Sequence, residues 1–133
     1  KIHSKNFLFN IDIYEQVGAE QISTILKHTD FGVVSLSEKH LTNNIPGKFV
    51  TYTQFSVPVI SFAHEREDLA KLIQLYKCGV NISYEKNENA IISSLDFNLN
   101  LSSDNHKVLK SNALKLYKEN FDLNSVVSQI LNF

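Results

Sequence analysis

Four short runs rich in β-branched and aromatic residues, each followed by a stretch with helical period, limit what this chain can fold into. The first run is Phe7-Leu8-Phe9-Asn10-Ile11. After it Val17, Ile22, Ile25 and Leu26 fall on one side of a helix predicted over about residues 18–28. The second, Phe31-Gly32-Val33-Val34-Ser35-Leu36, is nearly continuous and apolar, the pattern of a strand buried on both faces of a parallel sheet. The third, Pro58-Val59-Ile60-Ser61-Phe62, opens on a proline, whose missing N–H does little harm at a strand start. Val80 to Tyr84 forms the fourth. Helices are predicted over about residues 48–56 and 67–77, the latter with Leu69, Leu72, Ile73 and Tyr76 in one stripe and Gly79 as the cap beyond its end.

Strands separated by helices pair in parallel through right-handed crossovers, so the expected product is an α/β domain: a parallel sheet with helices on both faces. After Tyr84 the strands stop. Residues 88–97 suit a short helix, and Ser102-Ser103-Asp104 offers N-caps for a long one on which Leu109, Ala113, Leu116 and Tyr117 align. Asp122 is placed to cap a last helix whose Val126, Val127, Ile130 and Leu131 are expected to face inward. No linker or low-complexity tract interrupts residues 1–133, which read as a single domain. The chain contains no methionine and starts at Lys1, so it is expected to be a piece of a longer protein.

Composition removes several classes of function. Thirteen basic against 14 acidic side chains leave a net charge of −1, with no field to draw the chain onto nucleic acid or an anionic membrane. No apolar run approaches the roughly 20 residues of a transmembrane span. The single cysteine, Cys78, excludes an internal disulfide and fits a reducing, cytoplasmic setting. The histidines lack zinc-site spacing, so no metal is expected.

Ligands of open parallel sheets bind beyond the strands' carboxyl ends, here the segments after Leu36, Phe62 and Tyr84. Asn43-Asn44-Ile45-Pro46-Gly47-Lys48 brings a glycine, a helix start and a lysine to that edge. Free amides, about half a positive charge from the helix dipole, and an ammonium make a seat for a phosphate or diphosphate. On spacing alone, a Pro-Gly turn before a surface helix remains open. His40 and His64 follow strand ends and could approach one another as bases, or stand as solvated loop residues. Glu65, Glu67 and Asp68 complement a helix dipole, and Cys78 reads as a core filler.

The run Asn44-Ile45-Pro46-Gly47-Lys48-Phe49-Val50-Thr51-Tyr52, then Pro58-Val59-Ile60 and a helix opening Asp68-Leu69 and closing Cys78-Gly79-Val80, is similar to one half of a known fold. It resembles the donor-binding half of family 4 glycosyltransferases with the GT-B fold, in the branch that builds bacterial capsule and lipopolysaccharide. Glu20-Gln21-Ile22-Ser23 with Thr29-Asp30-Phe31-Gly32, and Asn120-Phe121-Asp122 with the last helix, resemble the flanking parts. The likeness covers most of the chain, and Ile-Pro-Gly-Lys to Pro-Val is its most specific part.

The resemblance implies a Rossmann-like, incomplete domain: the carboxyl-terminal, nucleotide-sugar-binding portion of a metal-independent retaining glycosyltransferase. Its diphosphate would lie on Pro46, Gly47 and Lys48, with Asn43, Asn44 and Thr51 beside it. The donor sugar nucleotide is a substrate, and no cofactor is implied. Implied partners are an acceptor-binding amino-terminal domain in the parent chain and a glycan or lipid-linked acceptor, at the inner face of the membrane. Two glutamates of the family, the second contacting the donor ribose, correspond to Asn43 and Thr51 here. The glycine two residues before the strand proline is Ser56, read as a change in packing. Two further β/α units carrying a basic pair have no counterpart before Phe7, so a gap in the sheet is expected. The alternative expectation is a non-catalytic α/β interaction module with a decayed donor site.

Overall fold

The computed structural model describes residues 12–39, 44–84 and 86–131. The strand expected at Phe7–Ile11, and with it the expected gap, lies outside the described residues. The elements run α1 (Ala19–Lys27), β1 (Gly32–Ser35), α2 (Gly47–Gln54), β2 (Val59–Phe62), α3 (Asp68–Tyr76), β3 (Gly79–Ile82), α4 (Glu88–Leu99), α5 (Ser103–Asn120) and α6 (Leu123–Leu131). This is the α/β architecture the alternation implies: a parallel sheet of β1, β2 and β3 in that order, flanked by helices. Val33, Ile60 and Val80 stand in register, as do Ser35, Phe62 and Ile82.

Registered partners share a face of the sheet, and successive residues alternate between faces. Val34 and Val59 point to the same side and join Phe49 of α2, Leu69 and Ile73 of α3, and Ala113 and Leu116 of α5 in one core cluster. Both crossover helices therefore cover one face, as sequential right-handed crossovers require, and α5 packs across the two of them. Ile60 and Ile82 point the other way yet are buried, and α4 lies against β3. Val33, on that second face at β1, stays 54% exposed, so β1 is buried on one face and not on both as its apolar run implied. The polar pair inside the sheet is satisfied: Ser61 Oγ donates to Asn81 Oδ1 at 2.6 Å, and Asn81 Nδ2 donates to the Ala63 carbonyl at 3.1 Å.

Helix ends explain two departures from expectation. The α2 helix closes in a Schellman motif: Val57 N–H reaches the Tyr52 carbonyl at 2.9 Å and Ser56 N–H the Thr53 carbonyl at 3.1 Å. The motif needs a left-handed residue, and Ser56 supplies it at φ 60°. Position 56 thus carries a conformational requirement, and its serine is not the matter of packing expected. At the end of α3 the left-handed residue is Lys77, at φ 51°, and not Gly79. Gly79 instead opens β3, where an added methyl would overlap the Val59 carbonyl.

Two apolar stripes are not buried as the periodicity implied. In α1 only Leu26 is buried, while Ile25 is 53% exposed. The α6 helix folds back on the end of α5 through Gln129, whose Nε2 donates to the Glu119 carbonyl at 3.1 Å. Ile130 and Leu131 lie outward, at 66% and 78% exposure, with Val127 also exposed, against the inward expectation. Elsewhere the periodicity holds: Ala113 and Leu116 are fully buried, and Ser102 Oγ caps α5 by accepting from Asn105 N–H.

Ser56→Gly is expected to raise the unfolding free energy by about 0.5–1 kcal/mol in urea titration, because glycine enters the left-handed region without steric cost. Gly79→Ala is expected to lower it by roughly 3 kcal/mol or more, since backbone must move to admit the methyl.

Candidate functional site

Parallel pairing gathers the carboxyl ends of β1, β2 and β3 at one edge, and the chain that leaves β1 and β2 there enters α2 and α3. Pro46, half-buried with extended backbone at φ −63° and ψ 136°, is the cap residue of α2 and offers no side-chain acceptor. Its carbonyl accepts from Phe49 N–H at 2.9 Å and Val50 N–H at 3.4 Å. The Gly47 and Lys48 amides have no partner among the described residues. Gly47 faces open space, with nothing within 4 Å of where a Cβ would stand. Lys48 is exposed, and the first turn of α2 holds no acidic residue to neutralise it. Asn44 is exposed beside them, whereas Asn43 lies outside the described residues.

Thr51 sits one turn into α2, with its hydroxyl donating to the Gly47 carbonyl at 3.1 Å. The structure thus brings Asn44, Pro46, Gly47, Lys48 and Thr51 to one helix end, with residues 45–48 open to solvent or half-buried. A crevice where strand order reverses, the usual ligand position in such sheets, is not formed by β1, β2 and β3, which lie in sequential order.

Two residues at the same edge tie the strand ends together. Tyr84, just past β3, reaches over β2 so that its hydroxyl meets the carbonyls of Leu36 and Phe62, the latter at 3.1 Å, with Ser35 Oγ 3.3 Å away. His64, just past β2, sets Nε2 2.8 Å from the Glu38 carbonyl. A carbonyl only accepts, so Nε2 carries the proton. The two rings meet edge to face with centroids 5.8 Å apart. Of this pair, sequence marks only His64, as a base or a solvated loop residue; Tyr84 falls at the end of an expected strand, and no local pattern marks it. The proposed approach of His40 to His64 falls outside the described residues.

The acidic start of α3 behaves as a helix end. Glu67 is its buried cap residue, and Asp68 pairs with Lys71 at 2.9 Å. His106 belongs elsewhere, against Phe31 at 5.2 Å with Nε2 2.9 Å from the Asp30 carbonyl, where β1 begins. Cys78 is a fully buried member of the core, and burial pushes its thiol up to about 11. Among the described residues, no three His, Cys, Asp or Glu side chains converge to hold a metal ion, and no helix is long and apolar enough to cross a membrane.

Set against protein-family models, curated proteins and solved structures, the chain matches none.

Cys78 is expected to resist thiol reagents at neutral pH in the folded chain and to react stoichiometrically once unfolded in guanidinium, because the nucleophile is the thiolate and burial disfavours it. Mass spectrometry after iodoacetamide treatment reads this directly; rapid labelling without denaturant contradicts it.

Proposed function

We propose that this chain is the nucleotide-sugar-binding part of a glycosyltransferase that transfers a sugar, in the cytoplasm, to a growing cell-surface polysaccharide or glycolipid acceptor. One observation carries the reading: the uncapped Gly47 and Lys48 amides at the start of α2, beside the Lys48 ammonium, at the carboxyl edge of the sheet. They fall in the same Ile-Pro-Gly-Lys stretch that resembles the donor-binding family.

An anion arriving there displaces no hydrogen bond among the described residues, and it meets two N–H donors with the positive end of the helix dipole behind them. When the bond between sugar and diphosphate breaks, negative charge grows on the departing nucleoside diphosphate. Donors already aimed at that group bind it more strongly in the transition state than in the ground state, and so lower the barrier. Where the resemblance implies a carboxylate, Thr51 offers a neutral hydroxyl that donates to the Gly47 carbonyl and whose oxygen can accept from a ribose, a weaker partner. Acceptor recognition would fall to a separate amino-terminal domain of the parent chain, with the acceptor presented at the inner membrane face.

A second reading, an interaction module with a decayed donor site, draws on the exposed apolar row of α6 and on the loss of that carboxylate.

Calorimetric titration with a panel of nucleoside diphosphates and their sugars separates the two. Saturable binding is expected, and Lys48→Ala is expected to weaken it about tenfold without altering thermal stability, since the side chain is exposed. Absence of saturable binding to any member of the panel would reject the donor-site reading.

A further inference from the structure

We infer that His64 and Tyr84 are positioning residues: together they clamp the root of the segment by which β1 hands the chain on to α2, and thereby set the attitude of the α2 amino end. The inference rests on the donor-site reading only where ligand affinity is concerned.

Leu36 is the first residue past β1. Its N–H donates to the Phe62 carbonyl at 3.0 Å, and its carbonyl accepts from the Tyr84 hydroxyl. Two residues further on, the Glu38 carbonyl accepts from His64 Nε2–H at 2.8 Å. Strand pairing stops at Ser35, yet three backbone groups of Leu36 and Glu38 beyond it are held by β2 and by side chains that follow β2 and β3. Loop backbone at a sheet edge ordinarily bonds to water and moves freely. Here the rings of His64 and Tyr84 also brace one another at 5.8 Å and 69°. Each ring thereby limits the rotamers of the other.

The consequence concerns direction. Residues 36–38 leave the sheet along one fixed path, so the chain's return to Pro46 starts from a rigid root. The α2 helix is anchored along its inner side, where Phe49 and Thr53 are fully buried. A fixed root adds a second constraint at the end where Gly47 and Lys48 present their amides.

The test is amide hydrogen exchange on the full chain, comparing wild type with Tyr84→Phe, His64→Ala and His64→Gln. Tyr84→Phe keeps the ring and removes only the hydroxyl; glutamine keeps an N–H donor toward Glu38. Faster exchange, by about tenfold, is expected at Leu36 and at Phe49, whose amide bonds to Pro46, in Tyr84→Phe and His64→Ala, with partial rescue in His64→Gln. Exchange at Ile73 in the α3 core serves as the internal reference. Unchanged exchange at Leu36 and Phe49, or equal acceleration at Ile73, overturns the clamp. Titration with a nucleoside diphosphate then reads its functional side: if the wild type binds, the clamp variants are expected to bind several-fold more weakly, and unchanged affinity removes the positioning role. If the wild type does not bind, the donor-site reading fails while exchange still decides the clamp.

Discussion

Three consecutive strands that run the same way cannot be joined by hairpins, and that single constraint organises this molecule. Each link from one strand to the next must recross the sheet, and α2 and α3 are those links. Their shared handedness sets both on one face, where Phe49, Leu69 and Ile73 meet Val34 and Val59. The groove between two such helices then accepts a third, and α5 fills it with Ala113 and Leu116. The same constraint brings the amino ends of α2 and α3 to the edge where the strands end.

The two ends of α2 are built differently. Its carboxyl end is closed, with the Schellman bonds of Ser56 and Val57 satisfying carbonyls that would otherwise be orphaned. Its amino end is open, with Pro46 contributing only a carbonyl and Gly47 keeping the space in front of the amides clear. By contrast, α3, although it too lacks a side-chain cap, begins on Glu67 and Asp68, whose negative charge repels an anion, and α5 begins on a serine that caps it. This contrast is why the reading of function is anchored on α2.

Much of the architecture was legible because hydrophobic period reports local geometry directly. The runs at 31–36 and 58–62, the stripe of Leu69, Ile73 and Tyr76, and the Ser102 cap each express an interaction within a few residues, and each was found where expected. The open start of α2 was legible for the same reason, since Pro46, Gly47 and Lys48 are adjacent in the chain. Period reports only that a helix has an apolar side, not that something covers it. The inward facing expected of Val127, Ile130 and Leu131 failed on that point, since α6 meets α5 without covering them. Gly79 was misassigned because glycine signals both a helix cap and a close backbone approach. The Val59 carbonyl that decides between the two lies 20 positions upstream and is brought near only by the pairing of β2 with β3.

Element types, their order and the uncapped start of α2 thus followed from neighbours in the chain, where spacing and turn chemistry act over one or two helical turns. The left-handed role of Ser56, the core partner of each stripe, and the meeting of His64 and Tyr84 over the end of β1 arose only on packing. Tyr84 and Leu36 are 48 positions apart. No local preference encodes such a contact; it exists because the sheet sets three separate strand ends side by side.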